Sequence, residues 1–123
     1  MTSLGPLVVT FDAGEHGRAV VAEALAGAAE AHEVNVAPHN FYGHLCTMMN
    51  AHFAAAVPNL RIMEIDVDRL EWDAELFTHA PHFVDGYFEV PDRPGWGCEP
   101  NEDALAAHPP KATGGLMSYR QKS

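Results

Sequence analysis

The run Leu7-Val8-Val9-Thr10-Phe11 is apolar or β-branched throughout and predicts a short buried strand. Gly14 and Gly17 then mark a loop. Arg18 to His32 is rich in alanine, with Val20, Ala24 and Ala28 recurring at near-helical spacing, and predicts a helix. Val34-Asn35-Val36-Ala37 predicts a second strand, closed by Pro38, which biases Ala37 toward extended backbone. From Asn40 to Val57 the positions Leu45, Met48, Met49, His52, Phe53 and Ala56 form one stripe of a second helix, which Pro58 and Asn59 stop. Leu60 to Val67 predicts a third strand. The order β-α-β-α-β with short links predicts a parallel sheet with right-handed crossovers.

The remainder of the chain is patterned differently. Pro81-His82-Phe83-Val84 and Tyr87-Phe88-Glu89-Val90 flank Asp85-Gly86, the strongest short-range hairpin signal. Pro91 to Gly97 predicts a rigid loop around Trp96, and Asn101 is placed to cap a short helix from Glu102 to His108. The end of the chain, with Gly114 and Gly115, reads as a frayed tail.

Composition narrows the function classes. The 123 residues suit one small domain, and 47% hydrophobic content argues against wholesale disorder. A net charge of −10 argues against nucleic acid and against anionic membrane surfaces as partners. No apolar run is long enough for a membrane span, and Met1 to Phe11 lacks the basic start of a secretory signal. Cys46 and Cys98 form no CxxC pair, which suits reduced thiols in a cytoplasmic protein. There is no GxGxxG, P-loop or GxSxG motif.

Three positions could carry chemistry. His39 follows the second predicted strand and Asp12 the first, and the C-terminal ends of parallel strands are where catalytic groups gather. A carboxylate beside an imidazole fixes its tautomer and stabilises its protonated form, which suits a general acid/base. A loop aspartate and a solvated histidine are the bland alternative. In the third strand, period two places Glu64, Asp66 and Asp68 on one face, and Glu64 adds a polar group at a third strand end. A solvated strand end is the alternative there, and Asp66, Asp68, Glu71 and Asp73 read as a solvated acidic run that is at best a weak cation site. His44 and His52 lack metal-ligand spacing, and His32, His79, His82 and His108 read as surface or loop residues. His16 could reach the strand-end face of Asp12.

Four segments, in order, carry a family resemblance. Val34-Asn35-Val36-Ala37-Pro38-His39-Asn40-Phe41-Tyr42-Gly43-His44-Leu45, then Ala51 to Asn59, then Ile62-Met63-Glu64, then Asp85 to Asp92 with Pro94-Gly95-Trp96-Gly97, resemble the C-terminal barrel region of the enolase superfamily. The group resembled is mandelate racemase/muconate lactonizing enzyme, above all its acid-sugar dehydratases, and the resemblance runs from about Ala22 to Lys111. It implies an α/β fold, a partial (β/α) barrel whose β-α-β-α-β unit is strands six to eight of a modified TIM barrel, followed by a β-hairpin and a short helix. Residues 1–111 would be the partial barrel and residues 112–123 a flexible tail.

The resemblance also implies roles. His39 matches the acid/base histidine after the seventh strand and Asp12 its orienting partner after the sixth. Glu64 matches the eighth-strand glutamate that donates a hydrogen bond to the developing enediolate. Family members use Mg²⁺ as a Lewis acid beside the substrate carboxylate. The family's three metal carboxylates lie on strands three to five, and its capping domain closes the pocket. Neither is in this chain, so Mg²⁺ is not expected to bind it alone, and a typical barrel of about 250 residues is twice as long. The expected function is therefore the C-terminal portion of a Mg²⁺-dependent dehydratase or racemase of a sugar acid, inactive and poorly stable alone. The alternative is a non-enzymatic half-barrel that associates with itself or a partner through open sheet edges. A third reading, a small βαβ protein with a cation at Glu64, Asp66 and Asp68, lacks a cation-loop pattern.

Overall fold

The computed structural model describes residues 8–12 and 19–109, with side chains from Ala22 onward. Gly14, Gly17, His16, the side chain of Asp12 and the 112–123 tail lie outside the described residues. The elements are β1 (Val8–Asp12), α1 (Ala19–Glu30), β2 (Asn35–His39), α2 (His44–Ala56), a 3₁₀ turn (Asp73–Leu76), β3 (Phe83–Val84), β4 (Tyr87–Phe88) and α3 (Glu102–Ala107). β1 and β2 pair in parallel, from Val8 opposite Asn35 to Asp12 opposite His39.

α1 buries Ala22, Ala26 and Ala29 against Val36 and Phe53, with Val34 and Val57 packed alongside. Ala24 and Ala28, whose spacing predicts the helix, are exposed. Apart from Glu23 and Glu30, α1 is alanine, valine, leucine and glycine, so its pattern gives little contrast to select the inward face; the neighbours do. Asn59 locks the layers together, its Nδ2 donating to the carbonyls of Ala26 and Val34, each at 3.0 Å.

β2 runs through Pro38 to His39 rather than ending at Ala37, because its β1 edge is served by residues flanking the proline. The expected third strand is corrected by the structure. Leu60 makes a single parallel bridge to Val36, through Val36 N–H to Asn59 O (2.9 Å) and Arg61 N–H to Val36 O (2.8 Å), and residues 61–70 form no strand. Residues along a strand alternate between its two edges. Two residues beyond Val36, the position on the same edge is Pro38, which has no N–H to donate. The next is Asn40, whose N–H is taken at 2.9 Å by the side chain of Glu64 in place of a backbone carbonyl. The 60–64 segment thus keeps its place beside β2 without a ladder. The period-two face of Glu64, Asp66 and Asp68 dissolves with it, since Asp66 Oδ1 accepts from Asp68 N–H at 2.9 Å and turns the chain.

The hairpin forms where Asp85-Gly86 places it, Phe83 opposite Phe88 and Val84 opposite Tyr87. Both turn residues have positive φ, 50° and 81°, as a two-residue type I′ turn requires. In the loop that follows, Gly97 has φ 82°, and a Cβ there would collide with Pro91. α3 is capped by Asn101, whose side chain accepts from Ala104 N–H at 3.4 Å. No helix among the described residues is long and apolar enough to cross a membrane.

Candidate active site at the strand ends

β2 delivers His39 at its C-terminal end, and the backbone of Asp12 lies directly opposite in the parallel register. The segment beyond Leu60 brings Glu64 to the same place. His39 Nδ1 and Glu64 Oε2 are 2.5 Å apart, and both side chains are nearly half exposed, at 42% and 47%. The site is therefore formed and open to small molecules. Asn40 N–H donates to the same Oε2. That backbone hydrogen bond, followed by the His39 hydrogen bond and charge, holds the Glu64 carboxyl below the usual glutamate range against the opposing effect of desolvation. An ionised carboxylate only accepts, so in this pair His39 donates from Nδ1 to Glu64. The Tyr42 ring stands edge-on to His39, with centroids 6.1 Å apart.

Behind the site lies a buried polar layer that hydrophobic periodicity missed. α2 was expected to bury Leu45 and Ala56, yet both are exposed, while Met48 and Phe53 are buried as expected. His44, Thr47 and Asn50 are buried on α2 too, and Asn40 precedes it with no exposure at all. Asn40 Nδ2 donates to Thr47 Oγ1 (3.0 Å) and to the carbonyl of Glu64 (3.1 Å). Arg69 donates to Thr47 Oγ1 (3.3 Å), Tyr42 O (2.7 Å), Asp66 O (3.0 Å) and Asp73 Oδ2 (3.2 Å). Asp73, expected in a solvated run, is instead mostly buried between Arg69 and His44, with His44 Nε2 at 3.6 Å. Burial lowers the His44 pKa below its ordinary value; Asp73 opposes this and Arg69 adds to it. The sequence signal for this layer was the Arg69/Asp73 spacing of i,i+4 together with two polar α2 positions, Thr47 and Asn50, that lie off the apolar stripe.

The other histidines are placed more simply. His82 pairs with Glu89 across the hairpin at 2.7 Å, both exposed. His108, expected on the surface, stacks on Trp72 with centroids 4.1 Å apart and planes at 6°. An open cleft of about 520 Å³ between Met48 and the hairpin is lined by His79, His82, Glu89 and Arg93 among others, but neither His39 nor Glu64 borders it. Among the described residues, no group of three or more His, Cys, Asp or Glu side chains is arranged to hold a metal ion.

Comparison with known proteins places this geometry. Residues 8–104 match the family described as Enolase C-terminal domain-like. A D-xylonate dehydratase of Haloferax volcanii is 33% identical over 84 residues, covering 68% of this chain and 20% of its own. A D-mannonate dehydratase of Sphingomonas sp. is 38% identical over 64 residues, 52% of this chain and 16% of its own. The crystal structure of a protein described as a candidate L-alanine-DL-glutamate epimerase from Burkholderia xenovorans, bound to magnesium and fumarate, superposes with a TM-score of 0.85 at 58% identity over 93% of this chain and 28% of that one. An enolase of the mandelate racemase subgroup from Agrobacterium tumefaciens superposes with a TM-score of 0.72 at 29% identity, over 82% of this chain and 28% of that one. The chain thus spans a fifth or less of the curated relatives it matches and just over a quarter of these solved structures. With the family match covering most of its length and the two strand ends, His39 and the Glu64 segment arranged as described, the chain belongs to the enolase superfamily, as a C-terminal barrel-like segment of the mandelate racemase group.

Proposed function

We propose that this chain supplies the acid/base strand ends of a mandelate racemase/muconate lactonizing-type enzyme that dehydrates or racemises a sugar acid through an enediolate. The observation that carries the proposal is the solvent-accessible His39–Glu64 pair at the end of β2. The names of the two dehydratase relatives favour a sugar acid. In this reading His39 Nε2 takes or delivers a proton at the substrate. Nδ1 is the nitrogen for an orienting carboxylate, either Glu64, which meets it here, or Asp12, opposite in register. For dehydration the balance is one C–H bond broken beside the carboxylate, one C–O bond broken at the next carbon with a proton given to the departing hydroxyl, and water released.

Mg²⁺ is implied by the family, and a Burkholderia xenovorans protein of the same fold was crystallised with it. The described residues offer no set that fits a metal ion, so no step assigned to this chain runs through one. Residues 1–111 act in this reading as part of a barrel, and the chain alone is inactive.

The test is an assay of 2-keto acid formation from D-xylonate and D-mannonate with Mg²⁺. The purified chain is expected to give none. Co-expression with a polypeptide carrying the barrel strands that precede the matched region of a homologue is expected to give turnover, and His39→Gln to reduce it by about 100-fold or more. Turnover by the chain alone overturns its inactivity. A co-purifying complex that leaves the substrates untouched sinks the enzyme reading.

A second reading, a non-enzymatic module that associates with itself or a partner, is favoured by exposed apolar side chains on and around the unladdered segment: Ile62 at 66%, Val67 at 77% and Phe41 at 56%.

A further inference from the structure

We propose that Asn40 and Thr47, braced by Arg69, are positioning residues that fix the Glu64 carboxylate against His39. The proposal rests on the acid/base reading of His39 for its functional meaning but stands on its own geometry.

Asn40 grips Glu64 twice, through its backbone N–H to Oε2 and through Nδ2 to the backbone carbonyl. It also follows His39 directly in the chain, so one dipeptide holds both ends of the pair. The Pro38 gap makes this grip necessary. Among the described residues no ladder continues beyond Leu60 and Arg61 to set the height of Glu64 along β2.

The orientation of the Asn40 amide is itself determined. Thr47 Oγ1 donates to the Gly43 carbonyl at 3.5 Å and accepts from Arg69 Nη2 at 3.3 Å. A hydroxyl has one proton, so it can only accept from Asn40, and Asn40 must present Nδ2 rather than Oδ1. The price is visible: Asn40 Oδ1 is buried with no hydrogen-bond partner. Leaving that oxygen unpaired in a wholly buried amide costs stability, while the nitrogen is aimed at Thr47 and the Glu64 carbonyl. Arg69 supplies the brace. Its guanidinium spans the Tyr42 carbonyl before α2, Thr47 on α2, and Asp66 and Asp73 on either side of it in the chain. The 65–72 segment is thereby anchored to α2, and Glu64 with it. The lowered pKa of Glu64, caused first by the Asn40 backbone hydrogen bond, agrees with this arrangement.

The test is NMR titration of the full chain, following the Glu64 side-chain carboxyl carbon and the Asn40 backbone amide proton together. In the wild type the two are expected to move with one midpoint, below the 4.5 of an unperturbed glutamate. An Asn40 amide that ignores the Glu64 titration overturns the proposal without any variant. In Thr47→Val, which keeps the shape and removes the hydroxyl, the Glu64 midpoint is expected to rise toward 4.5, and Thr47→Ser is expected to restore it. A folded Thr47→Val with the wild-type midpoint overturns the proposal. Should Thr47→Val fail to fold by circular dichroism, Arg69→Lys, which keeps the charge but loses the fork, carries the same expectation and the same refutation. Turnover in the reconstituted enzyme is read separately. A tracking amide without turnover leaves the positioning intact and sinks the enzyme reading; turnover without a tracking amide does the reverse.

Discussion

His44 shows how a single buried residue makes this fold sensitive to acid. Its ring is mostly buried between Asp73 and Phe77, and burial lowers its pKa below 6.5. Above pH 6.5 the ring is neutral in both folded and unfolded chains. As the pH falls below 6.5 the unfolded chain takes up a proton that the folded chain resists, so stability is lost through the window between 6.5 and the lower folded value. Glu64 acts with the same sign further down, its contribution present above 4.5 and lost as the pH falls through its depressed folded value, though solvent at its half-exposed carboxyl keeps that contribution small. Urea denaturation midpoints measured between pH 7.5 and 5 are expected to fall, and His44→Gln, which cannot titrate, is expected to flatten that fall. An unchanged slope in His44→Gln would assign the acid sensitivity to other groups. The site residues themselves divide by what a sequence can show. His39 and Asp12 stand at strand ends where the pattern puts them, whereas Glu64 follows a single bridge rather than a strand. The direct His39–Glu64 bond was not legible, because it depends on a side chain standing where a backbone carbonyl was expected.

At the scale of elements, periodicity located the segments better than their faces. α1, α2, the hairpin and α3 lie where the pattern puts them, within a few residues. The inward face of α2 was misjudged because Thr47, Asn50 and His44 are buried by polar partners rather than by apolarity. The third strand failed for a more local reason. Pro38 removes the one N–H that would have extended the bridge at Val36, so the segment is held by side chains of Asn40 and Arg69 instead. Asn59 is the joint between the layers, donating to both α1 and the start of β2. Asn59→Ala leaves the Ala26 and Val34 carbonyls without that donor and is expected to cost about 1–3 kcal/mol of stability. A thermal or urea midpoint indistinguishable from wild type would show that water replaces the amide at no cost.

Among the described residues of the whole molecule, the hydrophobic cluster under α1 holds five buried residues, three of them alanines, and large apolar side chains elsewhere lie in water. Two paired strands and a single bridge do not close a sheet. Unclosed parallel sheet with exposed Ile62, Val67 and Phe41 favours association. The weight-average mass in sedimentation is expected to rise with concentration, and Val67→Lys with Ile62→Lys to suppress that rise; a concentration-independent monomer would count against it. The sequence by itself determined the superfamily, because that is written in local runs such as Ala37-Pro38-His39-Asn40 and Asp85-Gly86 whose turn and strand-end chemistry survives out of context. It determined the acid/base candidates for the same reason. The tertiary structure alone decided which helix faces turn inward, that Leu60 onward runs beside β2 without a ladder, and that Glu64 reaches His39 over a buried Asn40–Thr47–Arg69 layer. Those outcomes depend on hydrogen bonds between residues more than twenty positions apart, and such partners are chosen by proximity in space, which no local period encodes.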